Sequence, residues 1–159
     1  MVVNTHQVLT GTVQTGPRVL LIDLDGHHQS TSTAEHLADQ GRQVHILTSA
    51  LFIGGNLGPL QDLYLTRQRL ARKGVTFTPD IAVLSIEGTV AKGLNVYSNE
   101  MIDFSGYDTI VVAAGSRSCD DLYYALKGQI RELYRVGDCV APRKTDMAIL
   151  EAHRVARKL

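Results

Sequence analysis

The sequence predicts an α/β fold of three layers, with a mostly parallel sheet and a small antiparallel insert. Short apolar runs, such as residues 19–22, are typical of strands that are buried on both faces. These runs alternate with longer stretches in which apolar residues recur at helical spacing, and glycines separate the segments. At 159 residues, the chain is long enough to bury a core of its own.

The first part of the chain predicts a strand–helix–strand unit. Residues 1–17 lack periodicity and are predicted to be a lead-in segment that ends at a Gly-Pro turn. A strand is expected at 18–23, then a helix that Ser30 or Thr31 caps, and then a strand at 43–48. Because the helix returns the chain to its starting edge, the two strands should be parallel, with a right-handed crossover.

The rest of the chain continues this alternation and adds the antiparallel insert, whose turns are marked by Gly88 and Gly93. A second helix should end at Gly74. Its apolar positions are Leu60, Leu63, Tyr64, Leu70 and Ala71. The other predicted elements are strands at 75–78, 82–87, 94–98 and 108–115, a helix near 120–126, a strand at 133–137 and a helix at about 143–159.

Composition excludes several functional classes. Sixteen basic residues balance sixteen acidic ones, so no net charge attracts the chain to nucleic acid or to an anionic membrane. No apolar run approaches the roughly 20 residues that span a bilayer, and the N-terminus lacks a signal-peptide pattern. The two cysteines are too few for a four-thiolate iron–sulfur cluster, and they predict reduced thiols in a cytoplasmic protein.

The turn after the first strand is where a Rossmann-like fold holds the diphosphate of a dinucleotide. That turn needs glycines spaced as GxGxxG, but this chain has one glycine, Gly26, together with the two carboxylates of Asp23 and Asp25. The next strand ends in Thr48, where a ribose-binding site needs an acidic residue. The residues therefore predict a nucleotide-binding fold whose dinucleotide motif is degraded.

Two other segments each allow two interpretations. The adjacent His27 and His28 could bind a metal, but no third ligand is evident and a solvated loop explains them better. Residues 116–119 could hold a phosphate at a helix start, or Ser118 or Asp120 could simply cap that helix. No spacing indicates a nucleophile–base pair or paired catalytic carboxylates. We therefore predict no catalytic and no metal-binding residue in this chain.

A family resemblance lies in the last third of the chain. Residues 135–148 place a Gly-Asp pair before a turn and a helix, which resembles the second flavin-contacting motif of the glutathione-reductase-like flavoproteins. Residues 107–117 resemble the strand that ends in Ala-Thr-Gly in that group, with Ala114 in place of threonine. The chain is most similar to the old yellow enzyme superfamily branch that contains 2,4-dienoyl-CoA reductase and the trimethylamine, dimethylamine and histamine dehydrogenases.

This resemblance implies a division of the chain into three parts. After the lead-in at 1–17, residues 18–133 correspond to an NAD(P)-domain-like module. Residues 134–159 correspond to the returning strand and helix of an FAD- or ADP-binding domain. The cofactor-binding positions that the resemblance implies are Gly115, Gly137 and Asp138 towards FAD or ADP, and Asp25, Gly26 and His27 beside a remnant NAD(P) cleft.

The resemblance also implies partners. Enzymes of this branch begin with a barrel that holds FMN and an iron–sulfur cluster, followed by the first half of a flavin domain. We therefore expect a chain that binds no cofactor tightly and completes no reaction by itself, and that acts with the remaining domains or a large subunit. A freestanding domain that senses ADP or NAD(P) without redox activity is the alternative. If no other domain covers the apolar stripe of the last helix, the helix should either dock on a second copy, giving a homodimer, or fray in solution. The stripe is formed by Ala148, Ile149, Ala152, Val155, Ala156 and Leu159.

Overall fold

A computed structural model describes residues 1–58 and 61–159 of the chain. It divides the chain into two compact units, Met1–Gly115 and Ser116–Leu159. The predicted helix position Leu60 lies outside the described residues.

The first unit contains eight strands and three helices among its described residues. In chain order they are β1 (Val2–Asn4), α1 (Thr5–Leu9), β2 (Arg18–Asp23), α2 (His28–Asp39), β3 (Gln43–Thr48), α3 (Gln61–Arg72), β4 (Thr76–Thr78), β5 (Ile81–Glu87), β6 (Val90–Asn95), β7 (Met101–Phe104) and β8 (Thr109–Ala113).

Five of these strands form a parallel sheet in the order β1-β8-β2-β3-β4. The other three form an antiparallel sheet in the order β5-β6-β7. Consecutive side chains of a strand point to opposite faces of a sheet, and the apolar run of β2 uses both faces. Val19 and Leu21 pack with residues of α1, α2 and α3, whereas Leu20 and Ile22 pack with Ile81 and Ala91 of the antiparallel sheet.

The predicted three-layer α/β architecture is confirmed. The layers are helices, the parallel sheet and the small antiparallel sheet. Residues 19–22 lie in the central layer, and all four side chains are almost fully buried. They therefore do not alternate between polar and apolar, as the residues of a strand with one face in solvent would.

The structure adds to or corrects the sequence-based predictions at three places in this unit. Within the lead-in at 1–17, residues 2–9 form regular elements: β1 pairs with β8 and buries Val3, while Val8 of α1 joins the core. Helix α2 begins at His28 and not at a Ser30 or Thr31 cap; both of those hydroxyls lie inside the helix and donate to the His27 carbonyl. The insert has a third strand, β7, that the pattern of apolar residues did not reveal. Two of its four residues interrupt such a pattern, since Asp103 is polar and Met101 is exposed.

The second unit contains helix α4 (Asp121–Leu126), a short 3₁₀ turn (Gly137–Cys139) and helix α5 (Thr145–Ala156). The strand predicted at 133–137 is not formed. A strand needs a neighbouring edge with which to share hydrogen bonds, and no residue of 116–159 provides one. The compact units also divide after Gly115, earlier than the predicted boundary at 133.

Among the described residues, no helix has the length and apolarity that crossing a membrane requires.

Candidate nucleotide site

The carboxyl ends of three parallel strands meet at one edge of the main sheet. Asp23, the last residue of β2, lies in register with Thr48 of β3 on one side and with Ala113 of β8 on the other. In open α/β sheets this edge is where nucleotides bind. A cleft of about 350 Å³ opens here, and its walls include Asp25, Gly26 and residues 48–52.

Asp23 organises the turn that follows β2. Its side chain is buried, with 2% of the residue exposed. Its Oδ1 accepts hydrogen bonds from the backbone N–H groups of Gly26, at 2.8 Å, and Asp25, at 3.2 Å. Oδ2 is buried and has no hydrogen-bond partner among the described residues. The two backbone donors that a dinucleotide turn would offer to a phosphate are therefore already bound to a carboxylate of the protein.

Asn56 closes this turn from the glycine-rich loop. Its Nδ2 donates to the Asp25 carbonyl at 2.8 Å, and its backbone N–H donates to the Gly26 carbonyl at 2.9 Å. Gly26 has φ +67°, and a Cβ added there would lie 3.2 Å from Asn56 Nδ2. Sequence reasoning missed Asn56, because a residue thirty positions downstream gives no local signal that it contacts this turn.

The sequence-predicted residues of this edge are only partly brought together. Asp25 and Gly26 line the cleft, whereas His27 is the N-terminal cap residue of α2 and makes no capping hydrogen bond with its side chain. No group of three or more His, Cys, Asp or Glu side chains forms a possible metal site among the described residues.

Gly115 follows the end of β8 and is the last residue of the first unit. It is exposed, and a Cβ added to it would meet no atom within 4 Å. Nothing in the local packing therefore requires a glycine at this position.

Gly137 and Asp138 lie in the second unit, on the turn before α5. Gly137 has φ +67°, and an added Cβ would lie 3.2 Å from the Cβ of Ala148, so both backbone conformation and packing require glycine here. Its N–H donates to Glu151 Oε2 at 2.8 Å. Glu151 also pairs with Arg143, whose hydrogen bond, followed by that of the Gly137 N–H, holds the pKa of Glu151 below its ordinary value.

Asp138 itself is exposed, and its Oδ1 accepts a long hydrogen bond of 3.4 Å from the Arg143 N–H. Most of its acceptor capacity is therefore available at the surface of this unit. The Glu151 contacts fix the backbone that presents it.

In the segment before α4, neither predicted side chain caps the helix. Asp120 occupies the N-cap position but makes no capping hydrogen bond, and the Ser118 hydroxyl donates to the Val140 carbonyl. The Asp120 carboxylate pairs instead with Arg135, whose guanidinium also lies 4.6 Å from the ring centre of Tyr123 and 5.3 Å from that of Tyr124. With Asp121 in the first turn, two carboxylates occupy the start of this helix and would repel an anion. Cys119 and Cys139 are both free thiols.

Comparison with known proteins gives a consistent set of relatives. The chain is 30% identical to N,N-dimethylglycine/sarcosine dehydrogenase of Chromohalobacter salexigens, over 99% of this chain and 27% of that enzyme. It matches histamine dehydrogenase from Rhizobium sp. 4-9 with a TM-score of 0.87 and 22% identity, over 100% of this chain and 26% of that one. It matches 2-naphthoyl-CoA reductase, in complex with 2-naphthoyl-CoA, with a TM-score of 0.82 and 25% identity, over 99% and 23%.

No family model matches the chain. The chain spans about a quarter of the length of the relatives above, while almost every one of its own residues takes part in the alignment. The resemblance inferred from residues 107–117 and 135–148 is thus confirmed. By sequence and by fold, the chain is similar along nearly its whole length to one segment of these dehydrogenases and reductases.

Proposed function

We propose that the chain is the C-terminal, NAD(P)-domain-like part of a flavin-dependent oxidoreductase of the dienoyl-CoA reductase and amine dehydrogenase type, and that it completes no reaction alone. The substrate chemistry would take place in domains outside these 159 residues, and those domains or a large subunit would be its partners. The observation that carries the proposal is the Asp23 turn, which keeps the architecture of a dinucleotide site but fills the phosphate position with a carboxylate.

The residues at the carboxyl edge do not fit NAD(P). A diphosphate there would lose the N–H groups of Asp25 and Gly26 as donors, since both are bound by Asp23 Oδ1. It would also lie beside the carboxylates of Asp23 and Asp25, and like charges at about 4 Å repel by about 1 kcal/mol even in water and more in a cleft. We derive no hydride transfer through this site.

The residues of the second unit fit a contribution to a flavin site. In the complete protein, FAD would supply the redox chemistry. Asp138 is exposed and has acceptor capacity for a hydroxyl of the ribityl or ribose part. Gly137 allows the turn that precedes Asp138, against the Cβ of Ala148. Glu151 would act as a positioning residue, because it holds the Gly137 N–H and so orients Asp138. This unit would thus supply one side of a flavin site, and other domains would complete it.

A titration of the ¹⁵N-labelled chain with NADH tests the claim for the carboxyl edge. We expect the amides of residues 24–28 and 49–56 to shift only at millimolar NADH, since a dissociation constant of about 1 mM corresponds to only ~4 kcal/mol. Asp25→Asn should tighten binding there by a few-fold, because it removes one like charge from the cleft. Glu87→Gln, which removes a carboxylate that pairs with Lys92 in the antiparallel sheet, is the matched control and should change nothing.

Micromolar NADH affinity with shifts at this edge would contradict the proposal. An Asp25→Asn variant that binds NADH no better than Glu87→Gln would show that repulsion by the cleft does not set the affinity.

A further inference from the structure

A second cleft opens at the opposite edge of the parallel sheet, where the strands begin. Arg18, Gln43 and Thr76 are the first residues of β2, β3 and β4, and all three line it. Its volume is about 540 Å³, within the range of ligand pockets in proteins. It lies wholly within the first unit and is separate from the Asp23 turn.

The charged groups that line this cleft have one sign. They are Arg18, Arg42 and Lys73, and no Asp or Glu of the described residues is among the lining side chains. Arg18 pairs with Asp108, and Lys73 pairs with Glu35 and Asp39, which lie outside the lining. A cleft lined by one sign of charge concentrates ions of the opposite sign.

Arg42 differs from the other two cations. Its guanidinium forms no ion pair or side-chain hydrogen bond with any described residue, and its Nε is buried without an acceptor. A buried donor that lacks a partner costs free energy, and a charged donor costs more than a neutral one. An anion in the cleft would supply acceptors to this guanidinium, whose planar fork matches phosphate oxygens.

One wall of the cleft is aromatic and uncharged. The rings of His45 and Tyr107 stack at 6.2 Å with an angle of 26° between their planes. The His45 ring nitrogens bond the hydroxyls of Thr76, at 2.7 Å, and Thr78, at 3.0 Å. Burial lowers the pKa of His45 and raises that of Tyr107, so both rings are neutral at pH 7. This wall suits the organic part of a ligand, while the three cations suit its anionic part.

We propose that this cleft binds a phosphorylated small molecule of up to mononucleotide size, with Arg42 as the principal phosphate contact. The site goes beyond the proposed function and does not depend on it. Free phosphate and a phosphate ester share the chemistry that Arg42 recognises, and the volume and the aromatic wall favour the ester.

The test is a ¹⁵N NMR titration of the full chain with AMP, adenosine and inorganic phosphate. We expect AMP to shift the amides of residues 42–45 and 73–76 with a dissociation constant below about 1 mM. Inorganic phosphate should shift the same amides more weakly, and adenosine should not shift them. Shifts confined to residues 24–28 and 49–56, no shifts at all, or adenosine binding as tightly as AMP would overturn the proposal. The two sets of amides also separate this site from the NADH experiment.

Matched variants test the role of Arg42. Arg42→Gln should weaken AMP binding at least about tenfold, because hydrogen bonds to charged groups are among the stronger ones. Arg72→Gln removes the same charge from α3 outside the cleft lining and should weaken binding less than about twofold. If Arg42→Gln and Arg72→Gln lost equal affinity for AMP, net charge alone would explain the effect. The assignment of Arg42 as the principal phosphate contact would then be wrong. Arg42→Lys keeps the charge and the stem, so unchanged AMP affinity in that variant would also contradict the role of the guanidinium.

Discussion

At the scale of single residues, Gly137 and Gly115 have the same residue type, but the local structure requires glycine at only one of the two positions. Gly137 and Gly115 both fall in segments that resemble flavin-contacting motifs. Only Gly137 has a positive φ and a close neighbour, the Ala148 Cβ, that an added side chain would meet at 3.2 Å. Gly115 has open space around it. Local packing therefore explains why residue 137 is glycine. It does not explain why residue 115 is glycine, which leaves a contact beyond its immediate neighbours as the reason.

This difference predicts the effects of two alanine variants. Gly137→Ala should destabilise the second unit by about 1–2 kcal/mol, from the left-handed backbone and the contact with Ala148. Gly115→Ala should change stability by less than about 0.5 kcal/mol. Urea unfolding, followed by hydrogen exchange of the α5 amides, measures both, and equal effects would show that the Gly137 turn is not held as described.

The Asp23 turn shows what sequence could and could not reveal about the site. The missing glycines and the paired carboxylates at 23 and 25 were visible in the sequence, and they predicted a degraded motif. The hydrogen bonds from Asp23 Oδ1 to the turn, and the closure by Asn56, were not visible, because they depend on a loop that folds back over the turn.

At the scale of elements, β3 and β4 share a polar contact through His45, whose side chain is half-buried. Both ring nitrogens of His45 are bonded to threonine hydroxyls of β4, which can each donate or accept and so satisfy a neutral imidazole. Burial lowers the pKa of His45 below its ordinary value of 6.5. The folded protein therefore holds this residue neutral where the unfolded chain would protonate it.

The sign of the pH dependence follows from this shift. A folded pKa below the unfolded one means that the unfolded state binds more protons, so stability is lost as the pH falls through 6.5 towards the folded pKa. We expect the free energy of unfolding to fall between pH 7.5 and 5.5, with His45 contributing about 1 kcal/mol or less of that fall. In His45→Gln the fall should be smaller, although its stability at pH 7.5 is also lower because the threonine contacts change.

His6 provides the control, since it lies in the same unit on the exposed side of α1. His6→Gln should keep the pH dependence of the original chain in urea unfolding. An identical fall in His45→Gln would show that another group sets it.

Helix α5 has little support within its own unit. None of its residues is buried; Ile149 within the helix is 55% exposed, and Leu159, just beyond its end, is 77% exposed. Burial of apolar surface contributes roughly 25 cal/mol per Å², so this face leaves a stabilisation of several kcal/mol unused. We expect its amides to exchange rapidly in a dilute monomer and more slowly as concentration rises and copies associate through α5. Strong protection of residues 145–156 in a proven monomer would contradict this.

The elements that sequence predicted well are those whose signal is local. Apolar residues predominate in 18–23 and 43–48 because both faces of these strands are covered, and α3 and α5 follow helical spacing. The failures depend on distant partners. β1 exists because β8 offers it an edge, and the strand predicted at 133–137 is absent because nothing within 116–159 offers one. The pattern of apolar residues predicts which positions are buried, but it does not predict which strand or helix buries them.

At the scale of the whole molecule, the cofactor-binding positions implied by the resemblance are divided between the two compact units. The Asp23 turn and Gly115 belong to Met1–Gly115, and the Gly137–Asp138 turn belongs to Ser116–Leu159. The relatives are about four times as long as this chain. If the chain presents one side of a flavin site, as we propose, it should fold without holding the flavin, since other domains would supply the contacts that enclose it.

The proposal that the chain is one part of a larger flavoprotein is tested most directly by the visible absorption spectrum of the purified chain. The spectrum is recorded after expression in cells with ample flavin, and again after incubation with FAD and desalting. We expect a colourless protein with no retained flavin, because Asp138 and Gly137 would supply only one side of the site. A stoichiometric flavin band that survives desalting, and that Asp138→Ala abolishes, would show a complete flavin site within these 159 residues and would contradict the proposal that the chain is one part of a larger oxidoreductase.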